Sequence, residues 1–207
     1  MKLVTNTQVT VDGVMQANGG NDPVLDPGFD RGGWAMPFDE PESTAYVADA
    51  YLRADAFLFG RRTYDLFAAY WGGVRKDDLD DPFVASLNSR PKFVASDSIT
   101  EPAWAETTVL PGRSDEAGLE RRIRELKARP GGELQVHGSG QLIRWLLARG
   151  LVDELTLIVF PVIVGGGGIR LFDVDGPDVA LELLDSRTFA NGVVAQTFRP
   201  DGRPEYA

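Results

Sequence analysis

A chain of 207 residues, 43% hydrophobic and 25% charged, is long enough for one sizeable core and ordinary in composition for a soluble globular protein. Its formal net charge of -10 excludes general nucleic-acid binding, and any bound phosphate must be held locally, by backbone amides and a few arginines. With no cysteine and a single histidine, His137, the chain has no disulfide, thiolate or cysteine-based metal chemistry; no metal site is expected, and a Ser-His-Asp triad would depend on that one residue.

Residues 2–11 alternate loosely and carry Val and Thr, the pattern of a strand. No apolar leader follows Met1 and no run approaches the ~18 apolar residues of a membrane span, so a soluble, cytoplasmic protein with no membrane partner is expected. From 12 to 41 Gly, Pro, Asn and Asp dominate. An irregular stretch of roughly 30 residues is uncommon inside a compact domain and marks a functional loop. Phe29, Trp34, Met36 and Phe38 are costly to leave in water, so the loop reads as an ordered lid over a site. Ser43 is placed as the N-cap of a helix running to Arg53, with Val47, Ala50, Tyr51 and Ala54 on one face.

Residues 57–59 read as a buried strand and 63–70 as a short helix. Asp77-Asp78-Leu79-Asp80-Asp81 reads as a solvated acidic loop, and 92–96 and 107–110 as strands. Leu119, Ile123 and Leu126 mark a helix that ends before Pro130-Gly131-Gly132. Residues 134–137 form a strand in which His137 is a structural terminal residue, and Leu142, Ile143, Leu146 and Leu147 give a helix ending at Gly150. The run 155–160 is apolar on both alternating sets except Thr156, which predicts burial on both faces. Residues 181–189 and 193–198, joined through Asn191-Gly192, predict a hairpin with a type I′ turn. Strand–helix units followed by a hairpin give a three-layer α/β fold. Its sheet is mixed and mostly parallel, with helices on both faces and a C-terminal antiparallel hairpin, in a single domain over 1–207.

Three apolar runs lead into glycine: Ala56-Phe57-Leu58-Phe59 into Gly60, Leu134-Gln135-Val136-His137 into Gly138, and Leu157-Ile158-Val159-Phe160, through Pro161-Val162-Ile163-Val164, into Gly165-Gly166-Gly167-Gly168. Helical patterns follow the first two. A buried strand that ends in Gly and starts a helix presents N–H groups, with the helix dipole behind them, to an anion. Two such sites suit a dinucleotide. The four glycines at 165–168 could form a further backbone nest or an ordinary loop.

The ordered set Val11-Asp12-Gly13, Gly60-Arg61-Arg62-Thr63-Tyr64, Val94-Ala95-Ser96, Gly138-Ser139-Gly140-Gln141-Leu142, Leu151-Val152-Asp153-Glu154-Leu155 and Leu171-Phe172 resembles the dihydrofolate-reductase-like superfamily. Within it, the 161–166 segment is more similar to the C-terminal reductase domain of bifunctional riboflavin-biosynthesis deaminase/reductases, here without the deaminase half. The resemblance covers nearly the whole chain and implies NADPH. It implies that Gly60, Arg61, Arg62 and Thr63 hold phosphates, with Arg61 or Arg62 on the 2′-phosphate. It places Ser96 against the adenosine phosphate, and Gly138, Ser139, Gly140, Gln141 and Leu142 against pyrophosphate and nicotinamide. It sets Gln8, Asp12 and Met15 beside the nicotinamide, with Asp12, a lid carboxylate or water as proton source, and Trp34 and Phe38 in the lid.

Dihydrofolate reductases carry an acid early in the helix after the lid; here the family spacing lands near Thr44, with Asp39, Glu40 and Glu42 just upstream. That favours a pyrimidine or another pterin-like ring as the small-molecule heterocyclic substrate. The expected function is an NADPH-dependent reductase of a small nitrogen heterocycle, resembling 5-amino-6-(5-phosphoribosylamino)uracil reductase. Alternatives are a dihydrofolate or pterin reductase, or a non-catalytic nucleotide- or flavin-binding protein on the same fold. The apolar C-terminal strands and the resemblance both imply a homodimer.

Overall fold

β1 (Lys2–Thr10) is a strand as expected but does not alternate: from Leu3 to Thr10 only Gln8 is not buried, because the strand lies inside an eight-stranded sheet of order β4-β3-β2-β5-β1-β6-β8-β7. The computed structural model describes every residue except 23, 25, 73–80, 173 and 175. The acidic run at 77–80 therefore lies outside the described residues. The chain divides into two compact units, one of Met1–Val4 and Val47–Ser139 and a second of Thr5–Tyr46 and Gly140–Ala207.

In the first unit parallel pairing joins β2 (Ala54–Gly60) to β3 (Lys92–Ala95) and β5 (Glu133–His137), and β3 to β4 (Thr107–Leu110). β2 reads as a continuous apolar run because Ala56, Phe57, Leu58 and Phe59 are all buried, as a strand covered on both faces requires. Phe57 and Phe59 join Tyr51, Tyr64, Leu87, Val94 and Trp104 in one cluster, where truncating either Phe to Ala would cost about 3–5 kcal/mol. α4 (Glu116–Lys127) buries Leu119, Ile123 and Leu126 at the predicted spacing, and the Asp115 carboxylate caps it by accepting the Gly118 N–H at 2.8 Å.

α3 (Pro82–Ser89) has no counterpart among the elements expected from sequence. Its signal was present: Asp81 accepts the Phe83 N–H at 2.8 Å, and Pro82 stands in the first turn. At its other end the buried Lys92 ammonium donates to the carbonyls of Leu87 at 3.0 Å and Arg90 at 2.9 Å, 4.8 Å from the Trp104 ring. Burial lowers the Lys92 pKa to about 8, opposed by attraction to Glu106.

α1 (Pro41–Leu52) starts two residues before the expected N-cap. Ser43 lies within its first turn, and the cap is Glu40, whose carboxylate accepts the N–H groups of Glu42 and Ser43, both at 3.0 Å. In the second unit β6 (Glu154–Phe160), β8 (Val194–Pro200) and β7 (Leu181–Thr188) form an antiparallel set. β6 departs from the predicted burial on both faces: Leu155, Ile158 and Phe160 are buried, but Leu157 and Val159 are only half-buried. α5 (Gly140–Ala148) buries Leu142, Ile143, Leu146 and Leu147, and ends with Gly150 N–H on the Leu147 carbonyl and Leu151 N–H on that of Leu146, both at 3.0 Å.

The hairpin is real, but its turn is not type I′. Only Gly192 has positive φ (83°), whereas a type I′ turn needs positive φ at Asn191 as well. Phe189 N–H donates to the Val193 carbonyl and Gly192 N–H to that of Phe189, each at 2.9 Å, which closes a three-residue loop with glycine in the left-handed position. Every residue of β7 is exposed, and the register slips between Leu183 and Asp185, leaving Leu181, Leu183 and Leu184 in solvent.

The 12–41 segment of the second unit is ordered by its own bonds. Trp34 and Phe29 are buried; Trp34 donates its indole N–H to the Gln16 carbonyl at 2.8 Å and stands edge-on to Phe160 at 5.4 Å. Phe38 meets Phe160 from 5.9 Å, and its carbonyl accepts from the Asn191 side-chain amide at 2.6 Å. Met36 does not share in this packing: it is 64% exposed on a single 3-10 turn, Met36–Phe38.

Candidate functional site

In the first unit β2 delivers Gly60 in an extended conformation as the N-cap of α2 (Arg61–Trp71), so Arg61 and Arg62 are the first two helical residues and Thr63 the third. That is earlier than the sequence spacing suggested, and it puts both guanidinium stems at the positive end of the dipole. β5 ends at His137 and the chain turns through Gly138 and Ser139, both with φ 58°. Ser139 is a rare left-handed non-glycine, of order 1 kcal/mol in cost, held by reciprocal bonds. Its hydroxyl accepts the Gly60 N–H at 3.0 Å, and its own N–H donates to the Thr63 hydroxyl at 3.1 Å. Two glycine turns 79 residues apart in sequence are thereby fastened together.

Beside this latch Arg61 donates from Nε to Asp65 at 2.5 Å and from a terminal nitrogen to the Ser98 hydroxyl at 2.6 Å. Ser96, buried at the end of β3, accepts the N–H groups of Ser98 at 3.2 Å and Ile99 at 3.1 Å. Arg61, Ser96 and Ser98 thus form one hydrogen-bonded group, while Arg62 is exposed on the same helix start. Ser98 was missed from sequence; a Ser-Asp-Ser after a strand end was its only signal. A forked guanidinium with hydroxyls and first-turn N–H groups is a donor set that fits a phosphate. Asp65 is its internal competitor.

His137 is structural, as expected. It stacks on Tyr51 with centroids 3.7 Å apart, bonds Gln135 Oε1 at 2.8 Å, and burial, aided by Arg53, lowers its pKa to about 3. No triad is built on it.

In the second unit the carboxylate of Asp12 is fully engaged. It accepts the Thr10 hydroxyl at 2.6 Å, the Val164 N–H at 3.1 Å and the Gly165 N–H at 2.9 Å, with Arg170 at 3.3 Å. The Thr10 bond is the main cause, with the two amides, of a pKa lowered to about 2. Gly165, Gly166 and Gly167 all have positive φ, and a Cβ on Gly166 would stand 2.9 Å from the Arg31 guanidinium, which itself donates to the Val164 carbonyl at 2.6 Å. The anion held by this glycine segment is Asp12 itself.

Gln8, half-buried on β1, accepts from the Asn18 amide at 2.7 Å. Met15 lies against Gly140, where an added Cβ would meet its sulfur at 2.7 Å. Leu142 turns into the core and Gln141 is exposed, so neither presents more than backbone to a ligand lying along the α5 start. Thr44 is exposed and donates to Asp39 at 2.8 Å; Glu40 is the α1 cap and Glu42 pairs with Arg187. All three upstream acids are engaged within the second unit, Asp39 and Glu40 by neighbouring residues and Glu42 by the distant Arg187.

The sheet and its C-terminal antiparallel pair define a dihydrofolate-reductase-like α/β fold. It is similar to dihydrofolate reductase from Enterococcus faecalis, solved with NADP(H) (TM-score 0.60, 11% identity, covering 97% of this chain and 96% of that one). It is also similar to a putative riboflavin biosynthesis protein from Shewanella sp. PV-4 (TM-score 0.70, 22% identity, 97% and 99% covered). In sequence it is 25% identical over 203 residues to the uncharacterized protein YyaP of Bacillus subtilis (strain 168), covering 97% of this chain and 96% of that protein. The RibD C-terminal domain family matches residues 1–195, and the chain belongs to that family. Membership and the structural neighbours support an oxidoreductase of the riboflavin-reductase type. Among the described residues no helix is long and apolar enough to cross a membrane.

Proposed function

We propose that this protein is an NADPH-dependent reductase of a small nitrogen heterocycle, similar in activity to 5-amino-6-(5-phosphoribosylamino)uracil reductase. The observation that carries this reading is the latch of Gly60, Ser139 and Thr63 at the start of α2, with Arg61 and Ser98 beside it. NADPH would supply the hydride. In the first unit, first-turn N–H groups of Arg61 to Thr63, which follow the Gly60 cap, would hold phosphate, and Arg61, with Ser96, Ser98 and Arg62, would exchange Asp65 for the 2′-phosphate. The backbone of Gly138 to Leu142 would lie along the cofactor. In the second unit we assign Gln8 and Met15 to the nicotinamide, and Trp34 and Phe38 to a lid that excludes water. Asp12, held as a carboxylate, would orient residues 164–165 and leave protonation to water.

We read residues 1–207 as one soluble cytoplasmic domain. The exposed Leu181, Leu183 and Leu184 of the edge strand β7 support a homodimer. Sedimentation equilibrium gives twice 22.6 kDa if that is right and 22.6 kDa if it is not.

The test of function is thermal unfolding with NADPH or NADH, followed by NADPH oxidation against aminopyrimidines and pterins. Cofactor at ~100 times its Kd adds ~2.7 kcal/mol. A second reading, a non-catalytic nucleotide- or flavin-binding protein, is favoured by one observation: Asp12 and His137 are each held in one protonation state. A shift with NADPH, or with a flavin alone, and no oxidation of NADPH by any ring would favour that reading; no shift with NADPH, NADH or a flavin would end both.

A further inference from the structure

β1 carries Thr5, Asn6 and Thr7 in its interior, and all three are buried. Among the described residues the Asn6 side-chain nitrogen has no hydrogen-bond partner, and neither do the hydroxyls of Thr5 and Thr7. A hydroxyl has one rotatable donor; an amide NH2 has two fixed donors in a plane, so Asn6 is the more expensive group to leave unsatisfied. It is 6% exposed, and an apolar residue of the same shape would fold more easily there. A buried donor kept without an acceptor is waiting for one from outside the chain.

Strand alternation puts Gln8 on the same face as Asn6, ~6.6 Å along β1. The orientation of the Gln8 amide is set by a short relay. Gly19 N–H can only donate, and it donates to Asn18 Oδ1 at 2.9 Å. That turns the Asn18 NH2 toward Gln8 Oε1, at 2.7 Å, and leaves the Gln8 NH2 as the end that faces away. One face of β1 thus offers two amide donors in a row. The acids that would read ring amino groups, Asp39, Glu40 and Glu42, are all engaged elsewhere in the second unit.

We infer that Asn6, with Gln8 as the second donor, is a specificity-determining residue that reads carbonyl acceptors on a planar heterocyclic ligand. This rests on the reductase reading for the identity of the site, and the carbonyl could belong to the substrate ring or to the nicotinamide carboxamide. The ligand is selected by acceptors at the ring edge rather than by amino groups.

The test uses the full chain, with uracil (outer edge groups carbonyl), 2,4-diaminopyrimidine (outer edge groups amino) and NADPH as probes. Binding of the rings is read by saturation-transfer NMR and of NADPH by thermal shift, on the wild type, Asn6→Leu and Asn6→Asp. The wild type is expected to bind uracil and not the diamine. Asn6→Leu should weaken uracil, or NADPH if the nicotinamide is the partner, about tenfold. Its own Tm without ligand should be unchanged or higher. Asn6→Asp, which replaces the donor by an acceptor, should reverse the ring preference and serves if Asn6→Leu does not fold. A fall of several degrees in ligand-free Tm for Asn6→Leu with both ligands bound as before would overturn the inference, since Asn6 would then hold structure or a buried water. So would a wild type that binds neither carbonyl ligand. Absence of an NADPH shift alongside selective uracil binding would instead sink the reductase reading and leave Asn6 as a ring reader.

Discussion

Replacing Asp12 by Asn keeps the shape of the side chain and removes its charge. Oδ1 now accepts Thr10 and the Val164 amide, and Oδ2 the Gly165 amide and Arg170. In Asn one oxygen becomes an NH2 that points at a donor, so at least one amide loses its acceptor and the other bonds lose their charge assistance. A hydrogen bond to a charged group contributes about 1.5–3 kcal/mol, and the exposed Arg170 contact adds little. The expected loss is therefore about 2–3 kcal/mol. At ~2–4 °C per kcal/mol for a chain of this size, Tm should fall by about 4–12 °C. The pH dependence fixes the cause. The folded pKa of about 2 lies below the ordinary 3.8, so the carboxylate stabilises above the ordinary value and that contribution is lost as pH falls toward 2. Urea unfolding of both proteins between pH 7 and pH 2 should show a gap that closes only below about pH 4. A gap that is absent at pH 7, or unchanged at the acid end, would refute the clamp. Slower turnover with unchanged stability would instead make Asp12 a participant in proton transfer.

Arg61→Ala together with Arg62→Ala should weaken NADPH about tenfold or more and NADH much less; equal losses in a thermal-shift titration would remove the 2′-phosphate assignment. Lys92→Met should lack a pH response that the wild type has. Because burial lowers the folded pKa of Lys92 to about 8 from 10.5, the ammonium opposes folding below pH 8. Wild-type stability should therefore rise relative to Lys92→Met as pH passes from 8 toward 10.5, and parallel urea midpoints across that range would contradict the buried ammonium. The difference in fluorescence between the wild type and Trp34→Phe should change at saturating NADPH or ring ligand; an invariant difference spectrum would end the lid assignment.

The strands and the helices α4 and α5 were legible because their apolar spacing is local and strong: Leu119, Ile123 and Leu126 face inward as spaced, and β2 is buried from Ala56 to Phe59. α3 was not legible from periodicity, since its signals are a cap and a first-turn proline following an acidic run. Asn191-Gly192 signalled a hairpin correctly but is compatible with two loop lengths, and only the Phe189–Val193 pairing separates them. Glu40 displaced Ser43 as a cap because a carboxylate can accept two first-turn amides at once. At the candidate site, the helix start and the Ser139 turn were visible as glycine punctuation, whereas their mutual bonds were not. Asp12 looked like a turn residue because its amide partners are 152 and 153 residues away, and no window along the chain can contain both. Asn6 gave no signal, because a polar residue in a strand ordinarily faces water.

The division of the chain has a consequence for synthesis. The second unit is made from Thr5–Tyr46 and Gly140–Ala207, so its first part leaves the ribosome long before its second part exists. At ~5–20 residues per second the intervening stretch, roughly 90 residues, takes about 5–20 s to translate. Throughout that interval Trp34 and Phe29 lack Phe160 and Gly168, against which they settle, and the Asp12 carboxylate lacks its amides. The first unit is nearly contiguous and can condense as it emerges. The nascent chain therefore carries an exposed aromatic arm ahead of a folding body, and chaperone capture of that arm, or its pairing with another nascent copy, is a hazard set by the order in which the sequence is written.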